Sequence, residues 1–345
     1  MTETTPHPPE DWWVYHGVGT PHDGITRLPA APAWRTFGEP DQDSLPLPPE
    51  DTAERGSARR LGRERQAAAF QADEREVQLI NLALHLRRPL LITGKPGVGK
   101  STVAYAVAHE LGLGPVLRWS ITSRSALLDG LYSYDAIGRL HETGIQGSEQ
   151  GAPDIGEFLR LGPLGTALLP WRHPRVLLID EIDKSDIDLP NDLLNVFEEG
   201  EFEIPELSRL GPDLRQVRTV DPGGTAEIAG GLVRCAQFPF VVLTSNAERE
   251  FPTAFLRRCV RLEISPPEPG RLAAMVAAHL GTDERTSSMR SHLIGEFLRR
   301  QREEGAALAN DQLLNALLMA ERGLWDSKRG QQLVQEVLLR PLGDG

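Results

Sequence analysis

Residues 90–101 read LLITGKPGVGKS. Leu90, Leu91, Ile92 and Thr93 form a short apolar run suited to a buried strand. The next eight residues, Gly94-Lys95-Pro96-Gly97-Val98-Gly99-Lys100-Ser101, fit G-x-x-x-x-G-K-[ST]. Glycines let a backbone curl around a phosphate with its N–H groups pointing inward, an approach that side chains would block. In such a loop Lys100 neutralises the β- and γ-phosphates, and the Ser101 hydroxyl can ligate magnesium. A helix beginning near Lys100 and continuing over residues 102–111 turns its positive dipole end toward the same phosphates. Strand, glycine loop and helix in this order predict a nucleotide cradle over residues 94–102.

Outward from this stretch the chain alternates. Residues 71–86 carry Val77, Leu79, Ile80, Leu82, Ala83, Leu84 and Leu86 at helical spacing, and Pro89 ends that helix. Short apolar runs at 116–121, 176–180, 240–244 and 260–264 are separated by helical patterns. Such alternation predicts an α/β fold around a parallel sheet with crossover helices. Runs that are nearly continuous in apolar residues suit strands covered on both faces.

Two of these runs end in polar groups. Residues 176–181 read VLLIDE, and the carboxyl edge of a parallel sheet is where ligand sites lie. Asp180 would hold magnesium through its water shell, and Glu181 would polarise the attacking water as general base. Alone, an apolar run ending in two acids is equally a strand meeting a solvated turn. The cradle upstream makes it the expected partner. Residues 241–246 read VVLTSN, placing Asn246 to orient water or touch the γ-phosphate. Before the last strand, Arg257 and Arg258 either pair within the fold or project into a neighbouring subunit's nucleotide. A trans arginine stabilises charge on the transferring phosphoryl group, with Arg258 the first choice and Arg257 the second.

The flanks differ from this core. Ten prolines fall between Pro6 and Pro49, which predicts an extended or partly disordered arm over residues 1–60. Trp12, Trp13, Tyr15, Trp34 and Phe37 make the arm either a strap docked on the parent domain or a linear element for a partner. After Pro266, Pro267 and Pro269 the strand signals stop. Residues 271–280, 287–300, 311–321 and 331–339 read as four helices. The expected division is an arm (1–60), an α/β domain (61–267) and a helical lid (268–345).

Composition narrows the rest. With 37 basic and 49 acidic residues the net charge is −12, which opposes coating of a nucleic acid. No run of eighteen apolar residues exists, and the start, MTETTPHPPEDWW, has neither a basic region nor an apolar core. A cytoplasmic protein without a membrane span is expected. Two cysteines, Cys235 and Cys259, make no disulfide framework and, with the histidines, no zinc spacing.

These elements, in this order, resemble the AAA+ superfamily. Within it the chain is most similar to the MoxR-type ATPases, on GKPGVGKS, LGPLGTALL (161–169), VLLIDEIDK (176–184), LLNVFEEGEFEIP (193–205), LTSN and FLRRCVRLEI (255–264). The similarity spans roughly residues 65–340. It implies a P-loop NTPase with a five-stranded parallel sheet of order 5-1-4-3-2, a C-terminal four-helix lid, and ATP with magnesium held between subunits of a ring, a hexamer. It assigns residues 94–101 to Walker A, Asp180 and Glu181 to Walker B, Asn246 to sensor 1 and Arg258 to the finger. Similar proteins are chaperone-like remodellers of a protein client, often alongside a partner bearing a von Willebrand factor A domain. One departure is plain: residues 308–314, LANDQLL, lack the arginine such lids carry at the start of the third helix. That departure keeps a slow nucleotide-dependent switch in a signalling or defence complex open beside the remodeller. A nucleic-acid-linked motor is a further alternative. Residues 132–145 and 207–234 read as inserts or hairpins facing a substrate, or as ordinary connectors.

Overall fold

The computed structural model describes residues 11–37, 45–50, 70, 72–146, 153–265, 269–280, 287–303, 308, 310–334 and 336. Much of the expected arm, the Pro266–Pro267 junction and the end of the expected fourth lid helix lie outside the described residues.

Eleven strands occur among them: β1 (Leu90–Thr93), β2 (Leu117–Ser120), β3 (Tyr132–Tyr134), β4 (Leu159–Leu161), β5 (Val176–Asp180), β6 (Glu201–Glu203), β7 (Leu214–Arg218), β8 (Thr225–Ala229), β9 (Leu232–Arg234), β10 (Phe240–Ser245) and β11 (Val260–Glu263). Five form a parallel sheet in the order β11-β1-β10-β5-β2. The numbering departs from the expected 5-1-4-3-2 because six further strands are interleaved along the chain. Taken alone in chain order, the five sheet members run 5-1-4-3-2.

Side-chain alternation divides the core in two. Leu90, Ile92, Val176, Leu178 and Val242 face a layer that includes Val77 and Ile80 of the helix Glu74–Leu86 and Val103 and Val107 of the helix Thr102–Glu110. Leu91, Leu177, Ile179, Val241 and Leu243 face the other layer, with Leu193 and Phe197 of the helix Leu189–Glu199. Central strands covered on both faces therefore read as unbroken apolar runs. The edge strands β2 and β11 instead alternate buried and exposed residues, which places Arg118 and Arg261 toward solvent.

The helix Glu74–Leu86 starts where it does because Asp73 accepts from the Glu76 N–H at 2.7 Å while the Glu76 carboxylate accepts from the Asp73 N–H at 2.9 Å. This reciprocal box satisfies two donors that the first turn leaves unpaired. At the other end Arg87 adopts a left-handed conformation (φ 52°) and closes the helix.

The stretches 132–145 and 207–234 contribute β3, β7, β8 and β9; the first three join β4 in a second sheet of order β3-β4-β7-β8, and β9 pairs with β6. The β7–β8 hairpin is tied to the core. Arg175, fully buried ahead of β5, grips Asp221 through two bonds of 2.8 and 2.9 Å. The helix Ala136–Gln146 leaves Ile137 and Leu140 exposed.

Residues 11–28 lie along the first helical layer. The Asn81 side chain accepts from Val14 and Tyr15 N–H at 2.7 and 3.0 Å and donates to the Tyr15 carbonyl at 2.7 Å. The Glu110 carboxylate takes the N–H groups of His16, Gly17 and Gly19 at 2.6, 3.0 and 2.9 Å. Trp13 and Tyr15 are buried in the same cluster, so this part of the arm is a docked strap. Beyond Pro269, the helices Pro269–Leu280, Ser287–Glu303 and Asn310–Glu321 pack around Leu272, Leu293, Phe297, Leu313 and Leu317; Val334, just past the short helix Lys328–Leu333, joins that cluster, while no residue of that helix is itself buried. Among the described residues, no helix is long and apolar enough to cross a membrane.

Candidate functional site

The parallel register brings the polar strand ends to one edge. Thr93 pairs with Ser245 and Leu243 with Ile179, so Gly94, Asn246 and Glu181 leave the sheet side by side. The loop 94–101 needs its glycines. Gly94 has φ 154°, and a Cβ there would lie 2.4 Å from the Ile264 carbonyl oxygen. Gly97 and Gly99 also have positive φ, of 76° and 97°. The helix is regular from Thr102, with Ser101 at its cap, slightly later than the pattern suggested.

Lys100 sits at the centre. Its ammonium donates to the carbonyls of Gly94 and Lys95 at 2.7 and 2.9 Å and to Asn246 Oδ1 at 2.7 Å. An ammonium has three donors, and all three are used. Burial pulls the Lys100 pKa down, against the raising effect of Asp183, Asp180 and Glu181. Asn246 is held in turn: Asp183 accepts its N–H at 2.8 Å. Asp183 is a residue the sequence reading did not single out, although an acid three places after Asp180 was visible within VLLIDEIDK.

Asp180 lies beside this group. Its Oδ1 accepts from the hydroxyls of Ser101 and Thr244 at 2.8 and 2.7 Å, and its Oδ2 accepts from Arg118 at 2.6 Å. Burial would push its carboxyl up, but the bonds from Thr244, Ser101 and Arg118 outweigh burial and hold it below the usual range. Arg118 was not anticipated; its place on an edge strand, with Ser120 opposite Asp180, is what delivers it. Glu181 adopts the left-handed region at φ 63°, its N–H bonded to the Thr244 hydroxyl at 2.9 Å. Its half-exposed carboxylate pairs with Lys184 at 2.8 Å. A non-glycine residue in that conformation is strained by about 1–2 kcal/mol, and such strain concentrates where a side chain must be aimed.

The remaining predicted residues fall in two places. Lys95, Pro96 and Val98 lie in the loop, and Gly97 accepts through its carbonyl from the Asn310 N–H at 3.3 Å. Asn310 is the buried first residue of the helix Asn310–Glu321, so an asparagine stands against the cradle where the resemblance leads one to look for an arginine. Arg257 and Arg258 are not with the others. Val260 pairs with Leu90 and Glu263 with Thr93, so residues before Val260 lie at the opposite edge of the sheet from Gly94. Four residues at about 3.3 Å each separate the two edges by roughly 13 Å. There Arg258 pairs with Glu198 at 2.8 Å, and the exposed Arg257 makes no ion pair among the described residues.

A glycine cradle holding a lysine, a buried acid joined to the cradle serine, and a polar strand end on that lysine constitute a phosphate site in general chemistry. A profile of the ATPase family associated with various cellular activities (AAA) matches residues 90–266, just over half of the chain. The chain belongs to that family. Membership suggests ATPase activity and implies nucleotide binding, usually with magnesium. Among curated proteins none matches the chain. The AAA segment begins with β1 and ends just past β11, so it contains every strand of the parallel sheet and both arginines but not residues 11–37 or the helices beyond Pro269.

The residues present fit magnesium. This hard cation keeps most of its water and takes one or two protein oxygens plus substrate phosphates. An ionised Asp180 joined to the Ser101 hydroxyl offers that donor set.

Proposed function

We propose that this AAA chain binds ATP with magnesium across residues 94–102 and hydrolyses it in a ring, in the manner of MoxR-type ATPases, to remodel or activate a protein partner. The observation that supports it best is the division of groups between two edges of one sheet. Lys100, Ser101, Asp180, Glu181 and Asn246 converge at one edge, while Arg258 lies at the other, too far to serve its own chain's triphosphate. An arginine so placed is useful to a phosphoryl transfer only in a neighbouring subunit.

In this reading Lys100 exchanges loop carbonyls for phosphate oxygens while keeping Asn246 aligned. Glu181, set by its backbone conformation and by Thr244, takes the proton of the attacking water. Asn246, fixed through Asp183, orients that water. Ser101 and Asp180 would hold magnesium, which when bound offsets phosphate charge. The partner is a protein client, and a protein with a von Willebrand factor A domain is the first to test.

The test is a pair of substitutions in the full chain. Glu181→Gln retains ATP binding and loses turnover, and Arg258→Ala retains binding and loses turnover by about a thousandfold. Normal hydrolysis by both variants would overturn the assignment. A second reading rests on Asn310, which lacks the charge an arginine would bring to the γ-phosphate: a switch that binds ATP tightly and turns over slowly. Turnover below about one per minute, with partner binding gated by nucleotide, would favour it over the remodeller.

A further inference from the structure

Arg258 is held by a carboxylate that the N-terminal arm also holds. Its Nε donates to Glu198 Oε1 at 2.8 Å, and its Nη1 donates to the Ala254 carbonyl at 3.2 Å. The second oxygen of Glu198 lies 3.7 Å from Arg35 Nη1. Arg35 belongs to the short turn Ala33–Arg35 of the arm, outside the matched AAA segment, and is only 6% exposed. It is anchored at three points. Its Nε and Nη2 reach the Arg87 carbonyl at 3.1 and 2.7 Å, and its Nη1 reaches the Phe197 carbonyl at 2.7 Å. Its guanidinium also lies over the rings of Phe238 and Phe37, at 4.6 and 5.3 Å from their centroids.

The chain of contacts therefore runs from a rigid, buried cation to a half-exposed carboxylate and then to a half-exposed arginine. We propose that Arg35 and Glu198 are positioning residues for Arg258, which makes the arm part of the device that one subunit presents to its neighbour's nucleotide. This rests on the shared-site reading above.

A free arginine side chain samples many rotamers and must lose that freedom to meet a developing charge. Two bonds within the chain remove most of it in advance. They use one face of the guanidinium fork and leave Nη2 without a partner among the described residues. Glu198 can do this only if its own carboxylate is oriented, and the anchored charge of Arg35, 3.7 Å from the oxygen that Arg258 does not use, attracts that oxygen without a hydrogen bond. Arg35 also offsets the charge of Glu198, so that the carboxylate orients Arg258 without neutralising it entirely. Trp34, next to Arg35 and 75% exposed, lies on the same face, beside a cleft that Arg35, Leu194, Glu198 and Arg258 also line.

The test uses the full chain with ATP and magnesium. Glu198→Gln, at a half-exposed position that the fold tolerates, and Arg35→Ala should each lower kcat by about tenfold to a hundredfold. Affinity for a fluorescent ADP analogue should stay within about twofold, because neither residue touches the cradle. Mixing then separates positioning from general damage. Glu198→Gln or Arg35→Ala protomers mixed with Lys100→Ala protomers should regain turnover, since the latter supply a well-held Arg258 to intact cradles. The same variants mixed with Arg258→Ala should not. Unchanged kcat in both variants, or no recovery with Lys100→Ala, overturns the proposal. The control pair, Lys100→Ala with Arg258→Ala, reports on the shared site itself. Its failure to regain turnover refutes the trans arrangement, and the positioning role with it.

Discussion

Arg118 meets Asp180 Oδ2 at 2.6 Å, on the carboxylate that Ser101 shares. A cation that needs Asp180 must compete with this guanidinium. Arg118→Ala removes the competitor. The Arg118 side chain is 43% exposed and Asp180 largely buried, so the pair lies between two regimes. Exposed ion pairs contribute about 0–1 kcal/mol, and buried hydrogen bonds to a charged group about 1.5–3 kcal/mol. Solvent screening of the arginine end places the pair near 1 kcal/mol, which at about 1.4 kcal/mol per tenfold corresponds to roughly fivefold. The assay is a magnesium titration of fluorescent-nucleotide binding at fixed protein and low salt. The midpoint in the variant should fall about fivefold, and the difference should shrink as ionic strength rises. Metal-free nucleotide affinity should move the other way, because a positive charge near the phosphates has been lost. An unchanged or higher magnesium midpoint would refute the reasoning. It would mean that Arg118 remains engaged in the bound state and acts on the phosphate side.

Other outcomes follow from single contacts. Glu110→Gln replaces one acceptor oxygen of a buried carboxylate by a donor facing a backbone N–H, so urea unfolding should show a loss of about 2–3 kcal/mol. The strap over residues 11–37 should at the same time become cleavable by a protease. At the strained position after β5, Glu181→Gly should be more stable than Glu181→Ala by about 1 kcal/mol in thermal unfolding, since glycine alone accepts φ 63° without cost. In the helix Ser287–Glu303, the guanidinium groups of Arg299 and Arg300 pull the Glu296 carboxyl down from 4.5 to about 2. A depressed carboxyl contributes stability above its unfolded value and loses it as pH falls through its folded value. The urea-midpoint difference between wild type and Glu296→Gln should therefore be present at pH 7, decline below pH 4.5 and vanish near pH 2, with a size under about 1 kcal/mol for so open a pair.

Much of the core was legible because its signals are local. GKPGVGKS is read from eight consecutive residues, and each glycine answers to the backbone at its own position. VLLIDE and VVLTSN announce themselves as buried strands with polar ends, and parallel register then brings those ends to one edge. The strand-rich stretch 207–234 was less legible. The hairpin reading of that stretch left the strands 214–218 and 225–229 without bounds, because their burial alternates with charged residues, and β4, which pairs with β7, lies over fifty residues upstream. Helix ends shifted by a few residues for the ordinary reason that capping, not periodicity, sets them.

The groups that escaped notice share a different property. Arg118, Arg35 and Glu198 are charged residues at unremarkable places: an edge strand, a proline-rich arm and the last turn of a helix. Nothing in their neighbours predicts a role. Each acquires one only through a partner 60 or more residues away, Asp180 for Arg118, Phe197 for Arg35 and Arg258 for Glu198. A motif read along the chain finds groups whose task is met by their own backbone. It does not find groups that hold another side chain in place across the fold, because that task constrains geometry and charge but no local pattern. In this AAA chain Arg118 stands at the cradle on Asp180, while the other two of the three, Arg35 and Glu198, gather at the edge of the sheet away from the cradle, around Arg258. That is the part of the proposed shared site whose work must be done outside its own subunit, and so the part where orientation, more than residue type, decides the rate.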